Sequence, residues 1–299
     1  MTRKTPFPWP GGKSHVAEAV WRALGDVPNY IEPFCGSAAV LLARPTPPGA
    51  ETINDLSCHV VNFWRALKSD PKRLAREADW PVSEADLVAR RARLHAEHAA
   101  LRAEIVRDPD YCDVRAAGWW LWGQCASIAD SWSVERVRVG QRGALQHLPH
   151  LSSHGQGVHA KSWRGVVEAR LRELSVRLRY VRVACGDWSR VVTASATTGF
   201  NHVAGGTLTG IFLDPPYHDR EYIYDATRTE HKRRTGRQSR EATATRPTAS
   251  REVGRWALRA GRDPRLRLVV CGRRGEFSLD GWRTQVVRQD VLWLSPGCL

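Results

Sequence analysis

The residues with the clearest chemical purpose in this chain are Leu213-Asp214-Pro215-Pro216-Tyr217. They follow Gly210-Ile211-Phe212-Leu213, an apolar run of the kind that forms a buried parallel strand. In open α/β sheets, ligands bind beyond the carboxyl ends of such strands. Two consecutive prolines fix the backbone and remove two amide donors. What remains is a turn rich in acceptors, the Asp214 carboxylate and the Pro215 carbonyl. An exocyclic amine on an aromatic ring presents two hydrogens and is a poor nucleophile, because its lone pair is delocalised. Two acceptors that take both hydrogens favour a pyramidal nitrogen with its lone pair released, and Tyr217 can stack on the ring for about 1–3 kcal/mol. An ordinary proline-rich turn has no need of Asp before the prolines and Tyr after them.

Two further segments offer ligand contacts. In Glu32-Pro33-Phe34-Cys35-Gly36-Ser37 a small-residue turn leads into a helix, so a ligand can approach the backbone and meet the helix N-terminus. Asp55 ends the next strand about twenty residues on, the usual place for a carboxylate that grips ribose hydroxyls. Asp187, in Cys185-Gly186-Asp187-Trp188, closes a later strand where an adenine-reading acid belongs. Each acid taken singly serves equally well as a helix N-cap. Near the N-terminus stands Pro8-Trp9-Pro10-Gly11-Gly12-Lys13. A phosphate-binding loop would need glycine five residues before its Gly-Lys pair, and residue 7 is Phe, so triphosphate hydrolysis is disfavoured. A cradle for a carboxylate-bearing ligand fits better: Gly11 and Gly12 for close approach, Lys13 for charge, Trp9 for a flat wall.

The elements that must position these residues alternate. Strands are expected at 30–34, 51–55, 180–185, 210–214 and 266–271, and helices at 37–42, 58–67, 165–179 and 252–259, which implies βαβ units around a parallel sheet. Residues 286–294 suit a closing hairpin. Residues 72–164 break the rhythm with a long polar helix over 83–107, the aromatic stretch Gly118-Trp119-Trp120-Leu121-Trp122-Gly123, and a turn-rich, histidine-containing segment. We read 1–71 and 165–299 as one domain and 72–164 as a helical insert. Residues 225–250 read as a basic mobile loop. From Arg228 to Arg251 eight basic residues face two acidic ones, and apolar residues are scarce.

The chain of 299 residues carries 45 Lys and Arg against 31 Asp and Glu, a net charge of +14, which attracts polyanions and is the footprint of nucleic-acid binding. Seven cysteines form no CxxC pair and read as reduced, mostly buried thiols in a cytoplasmic protein. His147, His150, His154 and His159 lack an accompanying Cys or carboxylate, so no metal is expected. The tryptophans at 119, 120 and 122 read as core of the insert. No apolar run is long enough for a membrane span, and the first residues lack the core of a signal peptide.

Phe7-Pro8-Trp9-Pro10-Gly11-Gly12-Lys13, Ile31-Glu32-Pro33-Phe34-Cys35-Gly36-Ser37, Ile53-Asn54-Asp55-Leu56 and Asp214-Pro215-Pro216-Tyr217, in this order, resemble the Dam-like class of adenine-specific DNA methyltransferases. The resemblance implies a Rossmann-like methyltransferase fold with a mixed, mostly parallel sheet and an inserted helical target-recognition domain. It implies S-adenosylmethionine as methyl donor, held by Trp9, Lys13, Asp55, Asp187 and Asp214, and a target adenine flipped out of duplex DNA. The amine of that adenine would be methylated by a monomer, with a cognate restriction endonuclease as a further partner in a restriction–modification setting. Leu292-Trp293-Leu294-Ser295-Pro296 resembles the ends of phage-borne relatives. Two readings stay open beside it: a methyltransferase acting on the cytosine amine, and a DNA-binding relative without catalysis. The sequence departs from the family in the basic segment after Tyr217 and between Trp282 and Val291, which is short for two closing strands.

Overall fold

A computed structural model of the chain describes residues 5–127, 157–198, 207–216 and 249–299. Tyr217, most of the basic 225–250 segment, and His147, His150 and His154 lie outside the described residues. Seven strands form the sheet: β1 (Asn29–Glu32), β2 (Ala50–Asp55), β3 (Val181–Cys185), β4 (Thr209–Leu213), β5 (Leu266–Gly272), β6 (Arg283–Val287) and β7 (Asp290–Leu294), in the order β3-β2-β1-β4-β5-β7-β6. The expected α/β class with a mostly parallel sheet is what the chain adopts.

Two compact units divide the chain. The first to consider takes in 13–35, 43–56 and 186–299. Here β1 pairs parallel with both β2 and β4, with Ile31 opposite Thr52 on one side and Ile211 on the other. The parallel order continues into β5, where Leu213 faces Val270. These strands are apolar on both faces, and Ile31, Ile211, Phe212 and Leu268 are buried, as a sheet covered on both sides requires. Helices α1 (Ala17–Leu24), the short α8 (Ala194–Thr197) and α9 (Ala249–Ala260) belong to the same unit. The sheet closes with the antiparallel β6–β7 hairpin, Val287 opposite Asp290. The stretch after Trp282 thus suffices for both closing strands, because a tight two-residue turn joins them. Arg288 in that turn takes a positive φ of 57°.

The second unit takes in 1–12, 36–42 and 57–185. It is larger than the 72–164 segment, since it includes α2 (Ala39–Leu42), α3 (Cys58–Ser69), α7 (Val167–Leu178) and β3 as well as α4 (Pro71–Ala78), α5 (Glu84–Arg107) and α6 (Val114–Ala126). The long polar helix expected over 83–107 is α5. It buries Leu87, Arg91, Leu94, His98, Leu101 and Ile105, a three-four spacing that puts one stripe inward and leaves the rest to solvent. Ser83 caps it through the Asp86 amide. At its other end the Arg65 guanidinium of α3 gathers the carbonyls of Ile105, Asp108 and Tyr111 at 3.0–3.2 Å, satisfying groups that a helix C-terminus leaves open. Trp120 and Trp122 are buried, as core tryptophans should be. Trp119, partly exposed, lies under the guanidinium groups of Arg90 and Arg115. The strand β3 is less buried than its apolar sequence implies: beyond Val181 its residues are half-buried or exposed, as an outermost strand allows.

Asn62 carries much of the connection between α3 and α6. Its Nδ2 donates to the Asp113 carbonyl at 2.8 Å and its Oδ1 accepts from the Asp113 amide at 2.9 Å, while the Asp113 side chain caps α6 through Ala116. Truncation of Asn62 orphans the Asp113 amide, while the Asp113 carbonyl keeps the Ala117 amide as a donor. Asn62→Ala is expected to cost about 2–3 kcal/mol, against about 1 kcal/mol for Ser83→Ala, which removes one half-buried cap. Urea unfolding midpoints of the two variants check the ranking.

Candidate active site

The parallel pairing of β1 with β2 and β4 fixes where three sequence motifs end. Glu32-Pro33-Phe34 leaves β1, Asn54-Asp55 ends β2, and Asp214-Pro215 leaves β4, all at carboxyl ends of neighbouring strands. The chain order changes direction at β1, and such a switch point opens a crevice at the sheet edge.

Lys13 and Asp214 meet in this unit, Nζ to Oδ2 at 3.1 Å, with side chains 7% and 18% exposed. Burial alone would lower the Lys13 pKa, but the charges of Asp214, Cys271 and Asp290 and the hydrogen bond to Asp214 outweigh it and raise the value. The ammonium is therefore held in its charged form, and a paired carboxylate acts as an acceptor. Asp290, itself buried, binds His15 Nε2 at 2.8 Å through Oδ2. One carboxylate at the start of β7 thus holds the segment that carries Lys13 and also contributes to the field around its ammonium. Pro215 is buried behind Asp214 and Pro216 is half-buried.

Asn54 organises the rim. Its Nδ2 donates to the carbonyls of Pro33 at 2.9 Å and Gly186 at 3.0 Å, and its carbonyl accepts from the Cys35 amide at 2.9 Å. The Asp55 carbonyl accepts from the Gly186 amide at 3.0 Å. The two turns that carry Phe34 and Asp187 are therefore both tied to the end of β2. Asp55 is buried at that end. Glu32 is buried too and accepts from the Tyr30 hydroxyl at 3.0 Å. Burial, reinforced by Glu32, pushes the Tyr30 phenol well above its ordinary value, which keeps it a donor. Phe34 stacks on Trp188 with ring centres 6.2 Å apart and planes 28° from parallel, and Trp256 meets Trp188 edge-on at 5.7 Å. Asp187 is exposed and caps the short turn that follows it, accepting from the amide and hydroxyl of Ser189. Of the two acids that could equally be N-caps, Asp187 is one.

Trp9, Gly11, Gly12 and Gly36 belong to the other unit and are described there. Gly12 donates to the Trp9 carbonyl at 2.8 Å, with Pro10 and Gly11 (φ 75°) between them. Proline followed by a positive-φ glycine is the signature of a type II turn. Gly36 has φ 45°, and a Cβ on it would lie 2.4 Å from the Trp9 ring. The indole of Trp9 is therefore seated on Gly36, and its near neighbours include Phe7 and Trp120 at 6.0 and 6.3 Å.

Residues 9–91 match the D12 class N6 adenine-specific DNA methyltransferase family. This match bears out the resemblance seen in the first three motifs, which fall within or beside it. Two similar proteins are the DNA adenine methylase of Vibrio cholerae serotype O1, 32% identical over 77 residues, and the DNA N-6-adenine-methyltransferase of Escherichia phage P1, 32% identical over 93 residues. The first alignment covers 25% of this chain and 27% of the relative, the second 29% and 12%. The chain thus spans about a quarter or less of the length of these relatives. Asp214 lies outside every residue matched to the family, and its 3.1 Å contact with Lys13 is what joins it to them.

Sequence reasoning did not single out Asn54, His15 and Asp290. Asn54 sat inside a recognised motif, so its type was visible while its partners were not. Asp290 is 275 residues from His15, and no spacing rule connects them. A buried pair broken on one side leaves an uncompensated charge, so Lys13→Met is expected to cost about 2–3 kcal/mol. Lys13→Met combined with Asp214→Leu should cost less than the sum of the two single changes. Denaturant midpoints of the four proteins measure the coupling, and additive losses would show that the charges are energetically independent.

Proposed function

We propose that this chain is a DNA methyltransferase that transfers a methyl group from S-adenosylmethionine to the N6 amine of adenine in double-stranded DNA. The observation that carries the reading is Asp214 at the end of β4, ion-paired to Lys13 from a segment that matches the adenine-specific family. The residues present suit the methyl donor. Asp55, buried at the end of β2, is placed to accept from ribose hydroxyls, and the Phe34–Trp188 pair offers a flat wall to a purine. Lys13 retains donors beyond the one spent on Asp214 for a carboxylate. We assign contacts with the donor to Trp9, Gly11, Gly12, Lys13, Glu32, Pro33, Phe34, Gly36, Asp55, Asp187 and Asp214.

The methyl donor supplies a sulfonium whose departure as a neutral thioether drives the transfer. Asp214 and the Pro215 carbonyl take the two amine hydrogens and orient the nitrogen toward the methyl carbon. With the donor bound, Asp214 and the Pro215 carbonyl would also take up the proton that the nitrogen gives up on methylation. Tyr217 stacks on the flipped base. Positioning supplies most of the rate, and the transfer needs no metal.

Residues 72–164 are assigned to target recognition, supported by α4–α6 and by the Arg90 and Arg115 cations stacked on Trp119. The basic 225–250 segment is assigned to phosphate contact, on charge. The reading places the protein in the cytoplasm as a monomer on duplex DNA, with a restriction endonuclease as its partner if the modification protects against cleavage. All seven cysteines are thiols, and no described helix is long and apolar enough to cross a membrane.

Incubation with tritiated S-adenosylmethionine and unmethylated DNA, followed by nucleoside analysis, is expected to place the label in N6-methyladenine. Label in methylcytosine would move the assignment to the cytosine amine, and DNA binding without label would leave a non-catalytic relative. Asp214→Ala should lower kcat by about a hundredfold or more, whereas Asp290→Asn should act mainly by raising KM for the methyl donor.

A further inference from the structure

A second cluster of reactive side chains lies within the helical unit and has no part in methyl transfer. Cys58 and His59 are the first two residues of α3, and His98 projects from the inward stripe of α5. All three are buried, at 0%, 3% and 6% exposure. Cys58 Sγ lies 3.6 Å from His98 Nδ1, which lies 3.1 Å from His59 Nε2. All three candidate ligand atoms fall within 4.8 Å of one another.

The Cys58–His98 and His98–His59 separations match two edges of a tetrahedron around one ion. With bonds of about 2.3 Å to sulfur and 2.05 Å to nitrogen, tetrahedral geometry puts sulfur and nitrogen roughly 3.5 Å apart and the two nitrogens roughly 3.3 Å apart. Nδ1 of His59 is buried without a hydrogen-bond partner. Neutral imidazole is the ligand form of histidine, and two such rings meet here in the core.

We infer that Cys58, His59 and His98 bind one zinc-class divalent cation, a structural ion that pins the start of α3 to the middle of α5. A borderline-soft ion with one thiolate and two imidazoles is zinc, with cobalt as its spectroscopic substitute. Three protein ligands leave one tetrahedral position to an exogenous ligand such as water. The site and the Arg65 contacts are seven residues apart on both helices, near 58 and 98 and near 65 and 105, so two ties of different chemistry would hold the same pair. No spacing motif announces the site, because His98 stands 40 residues from Cys58.

The test uses the full-length chain without a polyhistidine tag, grown with added zinc and passed over a desalting column. Elemental analysis is expected to find about one zinc per chain, and removal by a chelator should lower the melting temperature until zinc is restored. Cobalt added to the stripped wild type should give the near-ultraviolet thiolate charge-transfer band and the strong visible bands of tetrahedral coordination. Cys58→Ser should lose the charge-transfer band, and His98→Gln should lose stoichiometric metal, whereas His159→Gln, outside the cluster, should keep both. Wild-type protein that takes up well under one equivalent and shows no cobalt–thiolate band overturns the proposal. So does unchanged metal content in both ligand variants. The wild-type cobalt spectrum decides the matter even if a ligand variant fails to fold, and neither readout depends on methyl transfer.

Discussion

An ammonium and a carboxylate taken largely out of water are tolerable only when they face one another, and much of the sheet-bearing unit serves that requirement for Lys13 and Asp214. Asp214 is delivered by β4, whose register against β1 is set by apolar residues on both faces. Lys13 is delivered by a segment anchored through His15 to Asp290 at the start of β7. Strands from opposite ends of the sequence are thereby committed to one arrangement, since displacement of either would leave a charge in a low-dielectric setting at a cost of several kcal/mol. Within the proline turn, the aspartate is held in place by this charge.

Around that pair, backbone hydrogen-bonding groups are tied together rather than left to solvent. Asn54 satisfies carbonyls on two turns with one amide group, so the ends of β1 and of the segment before Trp188 move as one with β2. The aromatic wall of Phe34 and Trp188 rests on the same two turns, which gives a flat-ring site its rigidity without a ligand to organise it. In the helical unit a comparable constraint is steric. Gly36 accepts the Trp9 ring because it has no Cβ, and its positive φ is open to glycine at little cost.

The family match and the Asp214 turn occupy different parts of the chain, residues 9–91 against 214–216. Similarity at the N-terminal end supplies the cradle and the acids of the first two strands, and the ion pair carries the assignment across to the distant turn.

The sequence by itself determined the α/β class, the boundaries of β1 to β5 and of α3, α5, α7 and α9 to within a few residues, and the types of most candidate site residues, but not the helices α1, α4 and α6. These are local properties: apolar runs make strands, the three-four stripe makes α5, and proline, glycine and aspartate define turns from within their own few residues. It also yielded the N-cap alternative for Asp187, which the Ser189 contacts realise. What only the tertiary structure decided are relations between distant positions. The partnership of Lys13 with Asp214, the role of Asn54 as a double tie, the support of His15 by Asp290, and the meeting of Cys58 and His59 with His98 all depend on register and helix packing. Sequence shows the donors and acceptors a chain carries, but burial raises the energy of each one left unpaired, and only the folded chain reveals which partner removes that cost.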